Sequence, residues 1–154
     1  MNRLEPFIYI LVLSALGVGL VAEGAKSVRL QEHISVTPKD VYKMLSNSQL
    51  KMQIIDARAY DDDHYLDSHI PGSVPLPHCS DADAPKGAAE RAFSYVTTVV
   101  ISDDGDAETF VRCSQRFKIA RNLKGGMNAW SDANLPFDVG DYSPPKNSAG
   151  GGCL

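Results

Sequence analysis

The chain is poor in the residues that would make it a disulfide scaffold, a metalloprotein or a nucleic-acid binder. It has three cysteines, Cys79, Cys113 and Cys153, and no pair of them has the spacing of a zinc knuckle or a CxxC redox motif. Lysine and arginine number 15 against 19 aspartates and glutamates, a net charge of −4, so there is no basic field to hold nucleic acid. Long apolar runs are also missing. The longest, Phe7 to Ala22, would reach only ~24 Å as a helix, short of a ~30 Å hydrocarbon core. What remains is ordinary globular material, 44% hydrophobic and 22% charged, enough for one packed domain with appendages.

The two ends differ from the middle. Arg3 precedes the Phe7–Ala22 run, and small residues follow at Ala22, Gly24 and Ala25. That pattern fits residues 1–25 as a cleaved signal peptide or as an N-terminal anchor giving membrane association through residues 7–22. Either reading puts the domain outside the cytoplasm, periplasmic or secreted. Residues 138–154, with "SPPKNSAGGGCL", read as a flexible tail, and Cys153 is penultimate, out of place for a prenylation box.

Between the ends, strand and helix patterns alternate. A short strand is expected at His33–Val36, then a helix capped by Thr37 with Pro38 at its first position and Val41, Met44 and Leu45 on its apolar side. "MQIID" reads as a strand, "AYDDDHYLDSH" as a polar helix or turn, and Ser73–Leu76 as a short strand. A loop from Cys79 to Pro85 and a helix over Lys86–Tyr95 follow. "TTVVIS" has the β-branched run of a strand buried on both faces. Residues 106–117 suit a helix with Ala107, Phe110, Val111, Ser114 and Phe117 on one face, and "KIARNL" is the last strand. The alternation implies βαβ units, a mostly parallel sheet, and ligands bound beyond the carboxyl ends of its strands. Residues Ser102 to Asp106 lie at that edge.

Three blocks then resemble the rhodanese-like (sulfurtransferase-type) family over residues 33–137: "IIDAR" followed by "SHIPGSVPLP", the strand "TVVIS" with Gly105 beyond it, and "LKGGMNAWSDANLP". The resemblance implies an α/β three-layer domain, a mostly parallel five-stranded sheet with flanking helices. It also implies an active loop of the form Cys-x-x-Gly-x-Arg after the central strand. Here that loop reads Ser102, Asp103, Asp104, Gly105, Asp106, Ala107, with serine at the nucleophile position and alanine at the arginine position.

A thiolate can attack sulfane sulfur and carry it as a persulfide, whereas a serine hydroxyl needs an adjacent base and cannot hold that sulfur in the same way. The aspartates oppose an anionic donor. "ISDDG" is not a Gly-x-Ser-x-Gly elbow, and His33, His64, His69 and His78 are read as lying in other segments. Asp104 or Asp106 is expected as the N-cap of the next helix. Asp56, Arg58, His69 and Trp130 are read as structural support. The expectation is a catalytically degenerate binding or accessory module with an unidentified protein partner, without nucleic acid, metal or cofactor. The alternative is a sulfurtransferase or persulfide carrier that uses Cys79, beside His78 in a loop, in place of Ser102. A Cys79–Cys113 disulfide is permitted outside the cytoplasm, but sequence alone does not place the two sulfurs together.

Overall fold

The computed structural model describes residues 34–47 and 51–144. The segments expected as signal or anchor, most of the tail, His33 and Cys153 lie outside them. Among the described residues no helix is long and apolar enough to cross a membrane.

Five parallel strands form one sheet in the order β1-β5-β4-β2-β3. They are β1 (Ser35–Val36), β2 (Met52–Asp56), β3 (Val74–Pro75), β4 (Thr97–Ile101) and β5 (Ala120–Leu123). Among the described residues, α1 (Pro38–Leu45) joins β1 to β2, α2 (Ala107–Ser114) joins β4 to β5, and α3 (Gly126–Asp132) follows β5. Thr37 caps α1, its hydroxyl accepting from the Asp40 amide, with Pro38 at the first position as expected.

The centre of the sheet is apolar on both faces. β4 is paired with β2 over five residues and with β5 over three, and Val99, Val100 and Ile101 are fully buried. Alternation along the strands divides them: Ile54, Val99, Ile101 and Leu123 meet Val41 of α1 and Met127 and Trp130 of α3 in one cluster. Ile55 and Val100 point to the other face. Trp130 is completely buried, and its indole N–H donates to the Pro136 carbonyl at 2.9 Å, so the polar tip of this large ring is satisfied.

Two expectations are corrected. No α-helix spans Lys86–Tyr95; a single 3₁₀ turn, Ala89–Arg91, stands there. Gly87 sits at φ +85°, outside helical space, and the Gln53 side chain both accepts from the Phe93 amide (3.0 Å) and donates to the Phe93 carbonyl (2.7 Å). Those bonds pin Phe93, between a 3₁₀ turn and a second turn, to the start of β2. The buried side of α2 is also rotated from the stripe expected. Phe110, Cys113 and, just past the helix end, Phe117 are buried, while Val111 is 56% exposed and Ala107 and Ser114 face out. Cys113 turns inward between Phe110 and Phe117, where its sulfur is bonded to Cys79.

Candidate functional site

The chain leaves β4 at Ile101 and turns at once into α2. Asp106 is the N-cap, its carboxylate accepting from the Thr109 amide at 2.7 Å. Ser102, first residue of the loop, is buried. Its Oγ accepts from the Gly105 amide at 3.0 Å and the Asp106 amide at 3.1 Å. The Asp106 amide has a second acceptor in Asp104 Oδ1, also 3.1 Å. The loop thus curls around the serine oxygen, and the two N–H groups converge on it at the amino end of a helix.

Other segments fix this loop from outside. The Asn122 side chain donates to the Gly105 carbonyl at 2.7 Å, and its own Oδ1, buried, has no partner. The Met127 amide donates to the Ser102 carbonyl and the Asn128 amide to the Asp103 carbonyl. The glycines explain how α3 comes so close. A Cβ on Gly126, at φ +58°, would collide with the Ser102 carbonyl oxygen and stand 2.6 Å from that of Asp103. One on Gly105, at φ +76°, would stand 2.6 Å from the Leu123 carbonyl oxygen and 2.7 Å from the Gly125 amide. The Gly-Gly block, 20 residues away in sequence, therefore forms the floor of the loop. Only the contact map reveals that role; in the sequence it reads as a turn.

Charge at the site is one-sided. Asp103 and Asp104 are exposed, and Glu108 in the first turn of α2 pairs with Arg112 at 3.0 Å. Partial burial acts to raise the Asp106 carboxyl, yet the Thr109 amide and the Ser102 and Thr109 hydroxyls hold it below the usual carboxylate range. The Asp103 carboxylate acts electrostatically on Arg58. It is committed to Asp56 in a buried bidentate pair, Nε to Oδ1 at 2.9 Å and Nη2 to Oδ2 at 2.7 Å, with Nη2 also on the Ser68 carbonyl at 2.6 Å. Burial works against the Arg58 charge, but the Asp56 carboxylate outweighs it and holds its pKa above the ordinary value. The pair ties the end of β2 to the turn before β3.

The remaining expected residues lie elsewhere. His69 stacks on Tyr65, ring centroids 4.0 Å apart, and its Nδ1–H donates to the Tyr65 carbonyl; its backbone exchanges two hydrogen bonds with Asp138. Cys79, the alternative thiol, has its Sγ bonded to Cys113 with the two Cα atoms 5.3 Å apart, so it is not a free nucleophile in this structure. The disulfide joins the 3₁₀ turn Pro77–Cys79 to α2, and both His78 (φ +54°) and Cys79 (φ +57°) take the left-handed conformation. Arg112 Nη1 reaches His78 Nδ1 at 3.4 Å, a contact neither residue advertises in the sequence.

A cleft of about 560 Å³ opens between Tyr65, His69, Ser73, Arg91, Phe137 and Tyr142, and none of Ser102–Ala107 lines it. The buried hydroxyls of Ser73 and Tyr142 have no hydrogen-bond partner. Among the described residues no cluster of His, Cys, Asp or Glu is arranged to hold a metal ion.

Solved structures share this architecture at low identity. A full-length protein from Lactobacillus plantarum superposes with a TM-score of 0.60 at 17% identity, over 77% of this chain and 98% of that one. The rhodanese-like domain from an Anabaena protein gives 0.55 at 20%, over 79% and 90%. The thiosulfate sulfurtransferase from Pseudomonas aeruginosa gives 0.53 at 22%, over 69% of this chain but 19% of that one. At these identities the likeness is one of fold. No curated protein matches the sequence. The rhodanese-like domain model, however, matches residues 37–133, well over half of the chain and all but the last three residues of the three blocks that carry the resemblance. The chain belongs to the rhodanese-like domain family.

Proposed function

We propose that this domain is a binding or accessory module working outside the cytoplasm, and that it does not transfer sulfur. The observation that carries the reading is the hydrogen bonding of Ser102. An oxygen stands where the family's loop has its cysteine, and the two amides at the head of α2 donate to that oxygen. No histidine is among the partners of Oγ to make it a nucleophile. Ala107 offers no guanidinium for an anionic donor, and Asp103 and Asp104 surround the loop with negative charge. Like charges a few Å apart cost about 1 kcal/mol each at a wet surface, enough to weaken binding of a dianion severely. The same acids suit a partner protein that presents lysine or arginine. The Cys79–Cys113 disulfide fits an oxidising compartment, as the apolar Phe7–Ala22 run does.

Intact-mass spectrometry before and after exposure to thiosulfate tests the reading. No gain in mass is expected, either in the native protein or in Ser102→Cys, because Ala107 and the aspartates remain. A gain of one sulfur atom removable by cyanide, on the native chain after reduction or on Ser102→Cys, would overturn it.

A further inference from the structure

All five strands are parallel, so the loops that enter them lie on one edge of the sheet and the loops that leave them on the other. The leaving edge carries the Ser102 loop and its aspartates. The entering edge is of opposite character. Phe93 is 55% exposed, Tyr95 80% and Ile119 51%. They form one surface, because the Lys118 amide donates to the Ser94 carbonyl at 2.9 Å and the Thr98 amide to the Ile119 carbonyl at 2.8 Å. That surface is held firmly, since Gln53 takes both backbone groups of Phe93. Lys51, just before β2, and Lys118 stand exposed beside it, and Arg121 is exposed on β5. Arg116 is turned away to Asp81 at 2.6 Å. Neither residues 92–99 nor residues 116–122 contain an acid.

We infer that this entering edge, through Phe93, Tyr95, Ile119, Lys51 and Lys118, rests on an anionic lipid surface. Three observations select lipid over another protein. Exposed tyrosine and phenylalanine flanked by lysine, with no carboxylate between, is the composition that settles at the level of lipid headgroups, apolar bodies inward and ammonium groups on the phosphates. The chain upstream of Ser35 joins β1 at this same edge, and β1 lies directly beside β5, the strand that Ile119 introduces. Upstream lies the apolar Phe7–Ala22 run, separated from Ser35 by a stretch that extends at most ~40 Å. On the anchor reading of residues 7–22, the domain meets the surface repeatedly, and the edge at which its chain enters is the one fitted to stay there. The consequence is orientation. Five residues of β4 hold the acidic Ser102 loop about 17 Å above the contact, facing the aqueous side. The inference rests on the anchor reading of residues 7–22 and is independent of whether the loop catalyses.

The full chain provides the test, in vesicles of phosphatidylcholine with or without phosphatidylglycerol that carry a doxyl quencher high in the acyl chains. Trp130 is buried and supplies a constant background. A second tryptophan is placed by Tyr95→Trp at the entering edge or by Asp103→Trp at the leaving edge. The expected result is quenching of Tyr95→Trp and not of Asp103→Trp. The double variant Lys51→Glu, Lys118→Glu should bind anionic vesicles more weakly by about fivefold per lysine removed, with the difference fading at high salt. Equal quenching of the two tryptophans, or none while the chain sediments with vesicles, would overturn the inference and leave the tether alone responsible. Protection of Tyr95→Trp from acrylamide without lipid, rising with protein concentration as a dimer forms, would also overturn it and assign the surface to a second copy.

Discussion

Removing one oxygen from the loop tests its architecture. Ser102→Ala deletes the acceptor shared by the Gly105 and Asp106 amides. The two amides do not suffer equally. The Asp106 amide keeps Asp104 Oδ1 at 3.1 Å, whereas the Gly105 amide has no second acceptor and cannot swing outward, because its residue is wedged against the Leu123 carbonyl and Gly125. A part-buried donor left unpaired costs up to about 1–3 kcal/mol, while a retained one costs little. The Asp106 carboxylate also loses one of the hydroxyls that favour its charge. The expected loss is therefore about 2 kcal/mol, read as a shift of the urea midpoint at unchanged slope near neutral pH. Ser102→Thr should recover most of it if the added methyl fits, because the oxygen returns. A loss under about 0.5 kcal/mol for Ser102→Ala, the usual range for an uninvolved surface substitution, would mean that the loop keeps its form without the hydroxyl, and the hydrogen-bonding argument would fail.

Four further outcomes can be measured directly. Reducing the Cys79–Cys113 bond, or replacing Cys113 with serine, should lower stability by up to about 4 kcal/mol, the chain entropy released by opening a loop whose ends are 34 residues apart, followed by thermal unfolding with and without reductant. Asp56→Asn, which leaves the Arg58 charge buried without its counter-ion, should cost about 3–5 kcal/mol in the same assay, more than Asp56→Asn with Arg58→Met together. Gly126→Ala should cost more than about 1 kcal/mol, since it adds a collision with the Ser102 carbonyl to an unfavourable positive φ; a neutral effect would show that α3 does not press on the loop. For Asp106, the folded pKa lies below the unfolded one, so its contribution is present above the ordinary carboxylate pKa and disappears as pH falls through the folded value. Asp106→Asn should flatten that acid limb of the stability profile while keeping an oxygen for the Thr109 amide.

How much of this was legible beforehand depends on the range of the forces involved. Local signals held: Thr37 before Pro38 starts a helix, Asp106 caps the next, and the β-branched run from Thr97 becomes the buried central strand, because each depends on neighbours in the chain. The parallel five-stranded sheet followed from the alternation of such segments and from the three family blocks. What failed was set by residues far apart. Lys86–Tyr95 has the spacing of a helix, but Gln53, forty positions earlier, takes the backbone of Phe93 for itself, and Gly87 breaks the turn. Cys79 read as an exposed thiol beside an imidazole because nothing in "PHCSD" announces that Cys113 faces it.

The loop shows the same division at the level of function. Its departures, serine for cysteine and alanine for arginine, stand in the sequence and bear on chemistry at once. Its rigidity does not, for Asn122, Leu123 and Gly126 hold it from outside, and Ser102 joins that framework as an acceptor. A hydroxyl that serves as a structural acceptor has its lone pairs turned toward amides. The serine that keeps the loop folded has its oxygen engaged by the Gly105 and Asp106 amides, and the proposed loss of sulfur transfer rests on that geometry. The loop carries four acids, Asp103, Asp104, Asp106 and Glu108, within six residues at the edge of the sheet opposite Phe93 and Tyr95, and these are the groups the proposed partner would read.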